Sequence, residues 1–378
     1  MLSGRSPSIS ACLIVKNEAH FLPDCLRSIG RQVDEIVLVD TGSVDDTVSI
    51  AKSFDCRIFH FDWVDDFSKA RNYGLDQATG EWVLYIDADE RLNISTAGGL
   101  KQALADVDAI AARIKFRSSP KVTPYAEYRL FRNDVRLRFT GSMHETNVPG
   151  IFDAVERDGA KIVDRFDVSI LHLGYEGDQS AKHERNLPLL EAAIRDDPDR
   201  VFLRLHLGSV LGALGRRQDA VRQLTRGIEL AERPQAPEQA RVEGSACAKV
   251  LCDFFLDTGD LAYAVEFAGR GLSLFGENLQ LHWMQARCLV AAGSYEDAIE
   301  ILNGPLNQRY DEFFDPKIAY DHRLFREDRF GLLGSAWFRL AEYQKAADCF
   351  ARASSEAEDG REYEAKASVA RMRLTTAG

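Results

Sequence analysis

"WVLYIDADER", residues 82–91, decides how the first half of this chain reads. An apolar run through Val83, Leu84 and Ile86 has the look of a buried strand, and it ends in three carboxylates, Asp87, Asp89 and Glu90, with no lysine beside them. Side chains alternate along a strand, so D-x-D at its end brings both aspartates to one side, where they repel unless a cation is near. A hard divalent ion such as Mg²⁺ or Mn²⁺, shared between one or two carboxylates and the phosphates of a ligand, removes that conflict. A solvated loop or a helix N-terminus is the plain alternative.

Outward from this stretch, four more runs read as strands covered on both faces: 8–15, 35–40, 56–61 and 109–116. Amphipathic segments at 18–30, 44–53, 67–79 and 95–105 separate them. The alternation predicts an α/β domain with a mainly parallel, Rossmann-like sheet. Ligands of such sheets bind beyond the carboxyl ends of the strands. "KNE" (16–18), "DTGS" (40–43) and "DADE" (87–90) all fall there.

From about residue 180 the strand pattern gives way to helical repeats. Ala220, Ala264, Ala298 and Ala346 occupy one equivalent position in four aligned copies. A small residue comes twelve before in three copies (Gly208, Ala286, Gly334), with Cys252 in the fourth, and in three copies a glycine comes five before (Gly215, Gly259, Gly293). This resembles the tetratricopeptide repeat, a helix-turn-helix unit. Segment 182–198 reads as a half repeat, 361–374 as a capping helix, and stretches near 232–241 and 305–326 as insertions. The expected domains are 1–178 and 179–378.

The 378 residues carry a formal net charge of −12, which disfavours a nucleic-acid binder. Seven scattered cysteines without metal-ligand spacing suit free thiols, and "ISACLIV" is too short to span a bilayer, so a soluble cytoplasmic protein without a transmembrane segment is expected.

"SACLIVKNEAHFLPDCLRSI", "DEIVLVDTGSVDDTVSIAK", "DFSKARNYGLDQATGEWVLYIDADE" and "GSMHET" resemble, in order and spacing, the family 2 glycosyltransferases of the GT-A fold, over roughly residues 8–175. The nearest resemblance is to a bacterial branch that includes peptide S-glycosyltransferases and lipopolysaccharide-core transferases. It implies an inverting, metal-dependent hexosyl transfer from a nucleotide sugar, with UDP as the expected carrier. Asn17, Glu18 and Asp40 would hold base and ribose, Asp66 the base, Asp87 the ribose or the metal through water, and Asp89 the Mn²⁺ or Mg²⁺ directly, with His172 as a further ligand. Ser68, Arg71 and Asn72 form a polar stripe at helical spacing that could face the nucleotide. Arg71 would contact diphosphate or base, or else make a surface ion pair with Asp66 or Asp76. The acidic base of the family is expected in "MHET" (143–146): Glu145, with His144 as neighbour or alternative. The ordinary reading of Glu145 is an ion pair with Arg129, Arg132 or Arg138. The repeats would recruit a peptide, protein or glycan acceptor, or support a homo-oligomer. Two alternatives stay open: a scaffold on a transferase fold, and a nucleotidyltransferase.

Overall fold

The computed structural model describes residues 6–174 and 180–376, without the side chains of 180–183, 185 and 376. Its first unit contains β1 (Ile9–Val15), α1 (Leu22–Ile29), β2 (Glu35–Asp40), α2 (Thr47–Ser53), β3 (Arg57–His60), α3 (Phe67–Leu75), β4 (Trp82–Tyr85), β5 (Glu90–Ile94), α4 (Gly99–Ala103), β6 (Ala111–Arg117), β7 (Tyr125–Arg132), α5 (Val148–Asp158) and β8 (Ile162–His172). The strands form one eight-stranded sheet in the order β3-β2-β1-β4-β7-β6-β8-β5.

Period-two alternation divides the central strands between two cores. Ile9, Ala11, Leu13, Ile36, Leu38, Trp82 and Leu84 join the buried α1 residues Leu22, Cys25, Leu26 and Ile29 on one face. Cys12, Val37 and Val83 turn to the other, with Phe131, Phe139 and Ile151. β1 pairs in parallel with β2 and β4, and β2 with β3, so their carboxyl ends share one rim.

Beyond β4 the sheet departs from the expected parallel array. β7 runs antiparallel to β4 and β6, and β5 antiparallel to β8, giving a mixed sheet. Helix α1 starts at Leu22 rather than 18, because Asn17 adopts a left-handed φ of 57° and Pro23 suits only the first turn. The chain after "DADE" continues as β5, whose Glu90 lies opposite His172.

The second unit is helical: α6 (Ser180–Asp196), α7 (Val201–Ala213), α8 (Arg217–Ala231), α9 (Glu238–Asp257), α10 (Leu261–Leu274), α11 (Leu279–Ala292), α12 (Tyr295–Asn303), α13 (Glu327–Arg339), α14 (Tyr343–Glu356) and α15 (Arg361–Thr376). Ala220, Ala264, Ala298 and Ala346 are all fully buried. A methyl on Gly208 would meet Leu224, and one on Gly334 would meet Phe350, so close helix approach explains the small residues. The turns are left-handed at Gly215, Gly259 and Gly293, with φ of 76°, 76° and 87°. This architecture fits the tetratricopeptide pattern.

The expected domain limits meet two departures. Asp315–Ala319 belongs with the first unit, where the Pro316 carbonyl accepts from Ala126 N–H, and Lys121–Thr123 belongs with the second. The boundary at 178/179 lies outside the described residues. All seven cysteines are free, and no described helix is long and apolar enough to cross a membrane.

Candidate functional site

The shared rim gathers the polar clusters by direct bonds. Asn17 donates its N–H to Ser43 Oγ at 2.9 Å, and its own Oδ1 accepts from Val44 N–H at 2.8 Å. Glu18 N–H donates to Thr47 Oγ1 at 2.7 Å. Asp40 is buried and accepts from the N–H groups of Gly42 and Ser43, which folds "DTGS" into a tight turn. His60, which the sequence marks in no way, places Nδ1 3.6 Å from Asp40 Oδ2.

Asp87 leaves the end of β4, and a guanidinium meets it. Arg71 Nη2 donates to Asp87 Oδ1 at 2.9 Å, and Arg71 Nε donates to Glu145 Oε1 at 2.6 Å. The arginine is therefore neither at the surface nor bound to Asp66 or Asp76. Glu145 in turn pairs with Arg71 rather than with Arg129, Arg132 or Arg138. Burial opposes ionisation of Asp87, yet Arg71 and then Arg129 outweigh it and hold its carboxyl below the usual range. His144, next to Glu145, has a left-handed φ of 51°.

Asp89 lies against His172, with Nε2 to Oδ2 at 3.1 Å, and its carbonyl accepts from Leu173 N–H. Gly174 completes the fit: a methyl there would overlap the Asp89 carboxylate. Glu18 stands near enough to feel this charge. Burial first, then Asp89, Asp87 and Asp45, push its carboxyl up to about 7.

Among the described residues of this set, only Asp89 and His172 are close enough to share a divalent cation. Asp89 and His172 offer an oxygen and a nitrogen side by side, and the carboxylate repulsion felt at Glu18 is what a cation would relieve. Among the described residues no group of three or more His, Cys, Asp or Glu side chains is placed to hold a metal ion, so Asp89 and His172 make at most a partial set. Phosphate oxygens and water would have to supply the remaining positions.

The polar stripe of α3 is only partly available. Asp66 is the N-cap, accepting from Lys69 N–H and from Ser68 Oγ, and Ser68 is buried. Asn72 spends both ends of its amide on the Phe139 backbone, donating from Nδ2 at 2.9 Å and accepting at Oδ1 at 2.8 Å. It fixes the loop leading to Glu145 instead of pointing to a ligand.

Residues 10–158 match the family described as Glycosyl transferase family 2. A TPR repeat-containing protein of Synechococcus elongatus is 34% identical over 234 residues, covering 60% of this chain and 58% of its own length. The SPbeta prophage-derived glycosyltransferase SunS of Bacillus subtilis is 29% identical over 240 residues, covering 59% of this chain and 54% of its own. The chain thus spans little more than half of either relative. A crystal structure of S. aureus TarS in complex with UDP-GlcNAc aligns over 71% of this chain and 92% of its own at 14% identity and a TM-score of 0.41, too loosely to bear on the site. The matched residues 10–158 include the acidic rim, which is the candidate active site.

Proposed function

We propose that the protein is an inverting, divalent-metal-dependent glycosyltransferase that moves a sugar from a nucleotide sugar, with UDP as carrier, to a peptide, protein or glycan acceptor. The observation that carries this reading is the convergence of Glu18, Asp40, Asp87 and Asp89 on one rim, with Arg71 joining Asp87 to Glu145. A relative named a glycosyltransferase supports it.

In this reading Asp40 and Asn17 line the nucleoside end, and Asp87 approaches the ribose. Asp89 and His172 would hold Mn²⁺ or Mg²⁺, which when bound supplies positive charge against the departing diphosphate. Arg71 adds a fixed positive charge that needs no reorganisation as the bond breaks. Glu145 is the proposed base: Arg71 engages its Oε1, and among the described residues no hydrogen bond occupies Oε2, the atom that would take the acceptor's proton. His144 is the alternative acceptor. The helical repeats would recruit the acceptor or a partner protein, or pair two copies of the chain.

Incubation with a panel of UDP- and GDP-sugars plus Mn²⁺, read by nucleotide release, tests the proposal. Donor hydrolysis that disappears in Asp89→Ala supports it. Hydrolysis unchanged in that variant removes the metal role. If no donor turns over and no metal-dependent UDP binding is seen by calorimetry, the scaffold reading prevails.

A further inference from the structure

Arg129 enters the site from β7, a strand the apolar pattern does not announce. Its side chain is 7% exposed and that of Glu90 is 1% exposed. Arg129 Nη2 donates to Glu90 Oε1 at 2.9 Å and Nη1 to Glu90 Oε2 at 3.2 Å, a two-pronged grip. Its Nε donates to Glu127 Oε2 at 2.6 Å, and the other Glu127 oxygen accepts from Tyr125 Oη at 2.6 Å. The guanidinium also lies over the rings of Tyr85 and Phe116, 4.3 and 4.5 Å from their centroids. Every side of this cation is engaged, so its place is fixed.

The fixed point holds a turn. Glu90 Oε2 accepts from Asp87 N–H at 2.9 Å, while Glu90 N–H donates to the Asp87 carbonyl at 3.1 Å. The loop from 87 to 90 is thereby closed from both ends, and one of those closures depends on the orientation of the Glu90 carboxylate. Asp87 and Asp89 stand on that loop. A rotated Glu90 would free the Asp87 amide and let both aspartates shift, and displacements of about 1 Å at a reacting centre cost on the order of 10²-fold in rate.

We infer that Arg129, through Glu90, is a positioning residue that presets the Asp87–Asp89 turn to receive a diphosphate and its cation. The inference rests on the glycosyl-transfer reading above for its purpose, but its structural content can be measured separately. A buried ion pair of merely structural use can be exchanged for apolar residues of similar size at little cost, so the decisive variant is one that folds without the pair.

The double variant Glu90→Leu/Arg129→Met, made on a Glu127→Gln background so that no carboxylate is left without its cation, meets this need, with Arg129→Lys as a second variant that keeps the charge and loses the fork. Arg113→Met, which breaks the half-exposed pair with Asp164 on β6 and β8, serves as control. Four quantities are read in each: Tm, hydrogen exchange at the Asp87 amide, the Mn²⁺ concentration giving half-maximal UDP binding, and kcat against KM for donor hydrolysis. In a double variant whose Tm stays near wild type, Asp87 exchange rises at least 10-fold, the Mn²⁺ requirement rises at least 10-fold, and kcat falls more than KM changes. Arg129→Lys moves the same quantities in the same direction, and the control moves none. Unchanged Asp87 exchange and Mn²⁺ requirement in both variants overturn the inference. If wild-type protein binds no UDP with Mn²⁺, the functional reading fails on its own, and Asp87 exchange then decides the positioning claim: unchanged exchange overturns it too.

Discussion

Asp87 and Glu145 are held by one guanidinium: Arg71 gives Nη2 to the first and Nε to the second, at 2.9 and 2.6 Å. The side chains of Arg71 and Glu145 are 10% and 12% exposed, so the cation is what allows two carboxylates to approach in a region of low dielectric.

Arg71→Met therefore leaves two partly buried negative charges without a partner. Removing one member of a buried pair costs about 3–5 kcal/mol. Urea unfolding should show a loss of that order, together with loss of donor hydrolysis. Arg71→Lys keeps a charge but cannot bridge two carboxylates in the planar manner of a guanidinium, and we expect on the order of 10²-fold lower kcat with a smaller loss of stability. Wild-type kcat in the lysine variant would show that the bridge is dispensable.

Metal dependence has a signature that does not rely on turnover. A cation that binds only the folded protein raises stability by RT ln(1 + [L]/Kd), about 2.7 kcal/mol at a hundredfold excess over Kd. Mn²⁺ with UDP should raise Tm by several degrees, and chelation should reverse the gain. In Asp89→Asn the metal-free protein should melt no lower than wild type, because one charge of the repelling set that raises Glu18 has gone. The response to Mn²⁺ should vanish. An equal Tm rise in wild type and Asp89→Asn would place the cation elsewhere.

Acid stability has a definite contributor on β2. Burial works against ionisation of Glu35, but bonds from Ser10 Oγ (2.6 Å) and Thr79 N–H (2.6 Å), the Thr79 hydroxyl, and Arg57 outweigh it and bring the carboxyl down to about 2. Unfolded, the group returns to its ordinary 4.5. The folded state thus binds fewer protons than the unfolded one between these values. The stability Glu35 contributes is complete above pH 4.5 and is lost as pH falls toward 2. Glu35→Gln should lower stability at pH 7 by about 1–3 kcal/mol, since bonds to a charged group are replaced by neutral ones. Its urea midpoint should also fall less steeply than that of wild type below pH 4.5. Parallel curves for the two proteins would assign the acid sensitivity to other groups.

How far the sequence carried this picture depended on whether burial leaves a periodic mark. β1, β2 and β4 are apolar on both faces, and their three polar ends could be placed on one rim from spacing alone. β7, "YAEYRLFR", escapes because Arg129 occupies a position that reads as solvent-facing yet is buried by its partners Glu90 and Glu127. β5, "ERLNI", begins inside the acidic motif and reads as a loop. Arg71 and Glu145 were visible as residue types, but their partnership spans the fold, and local spacing carries no information about it. Gly174 was equally silent, since its use lies in the space it leaves for Asp89.

The repeats hold a test of the same logic in their turns. Three copies place glycine five residues before the buried alanine, at φ of 76°, 76° and 87°. The fourth has Ala341, and the backbone there is left-handed too, at 61°. A residue with a Cβ in that region is strained by roughly 1 kcal/mol, whereas glycine adopts it freely, with a partial offset from the greater freedom of glycine in the unfolded chain. Ala341→Gly should therefore be neutral to stabilising, by up to about 1 kcal/mol, although glycine elsewhere in a helical region costs a similar amount. Gly293→Ala, the converse change one repeat earlier, should destabilise by about 1 kcal/mol. Urea midpoints of the two variants should move in opposite directions. A loss of stability in Ala341→Gly as large as that in Gly293→Ala would mean that the alanine methyl contributes packing that the turn geometry does not reveal.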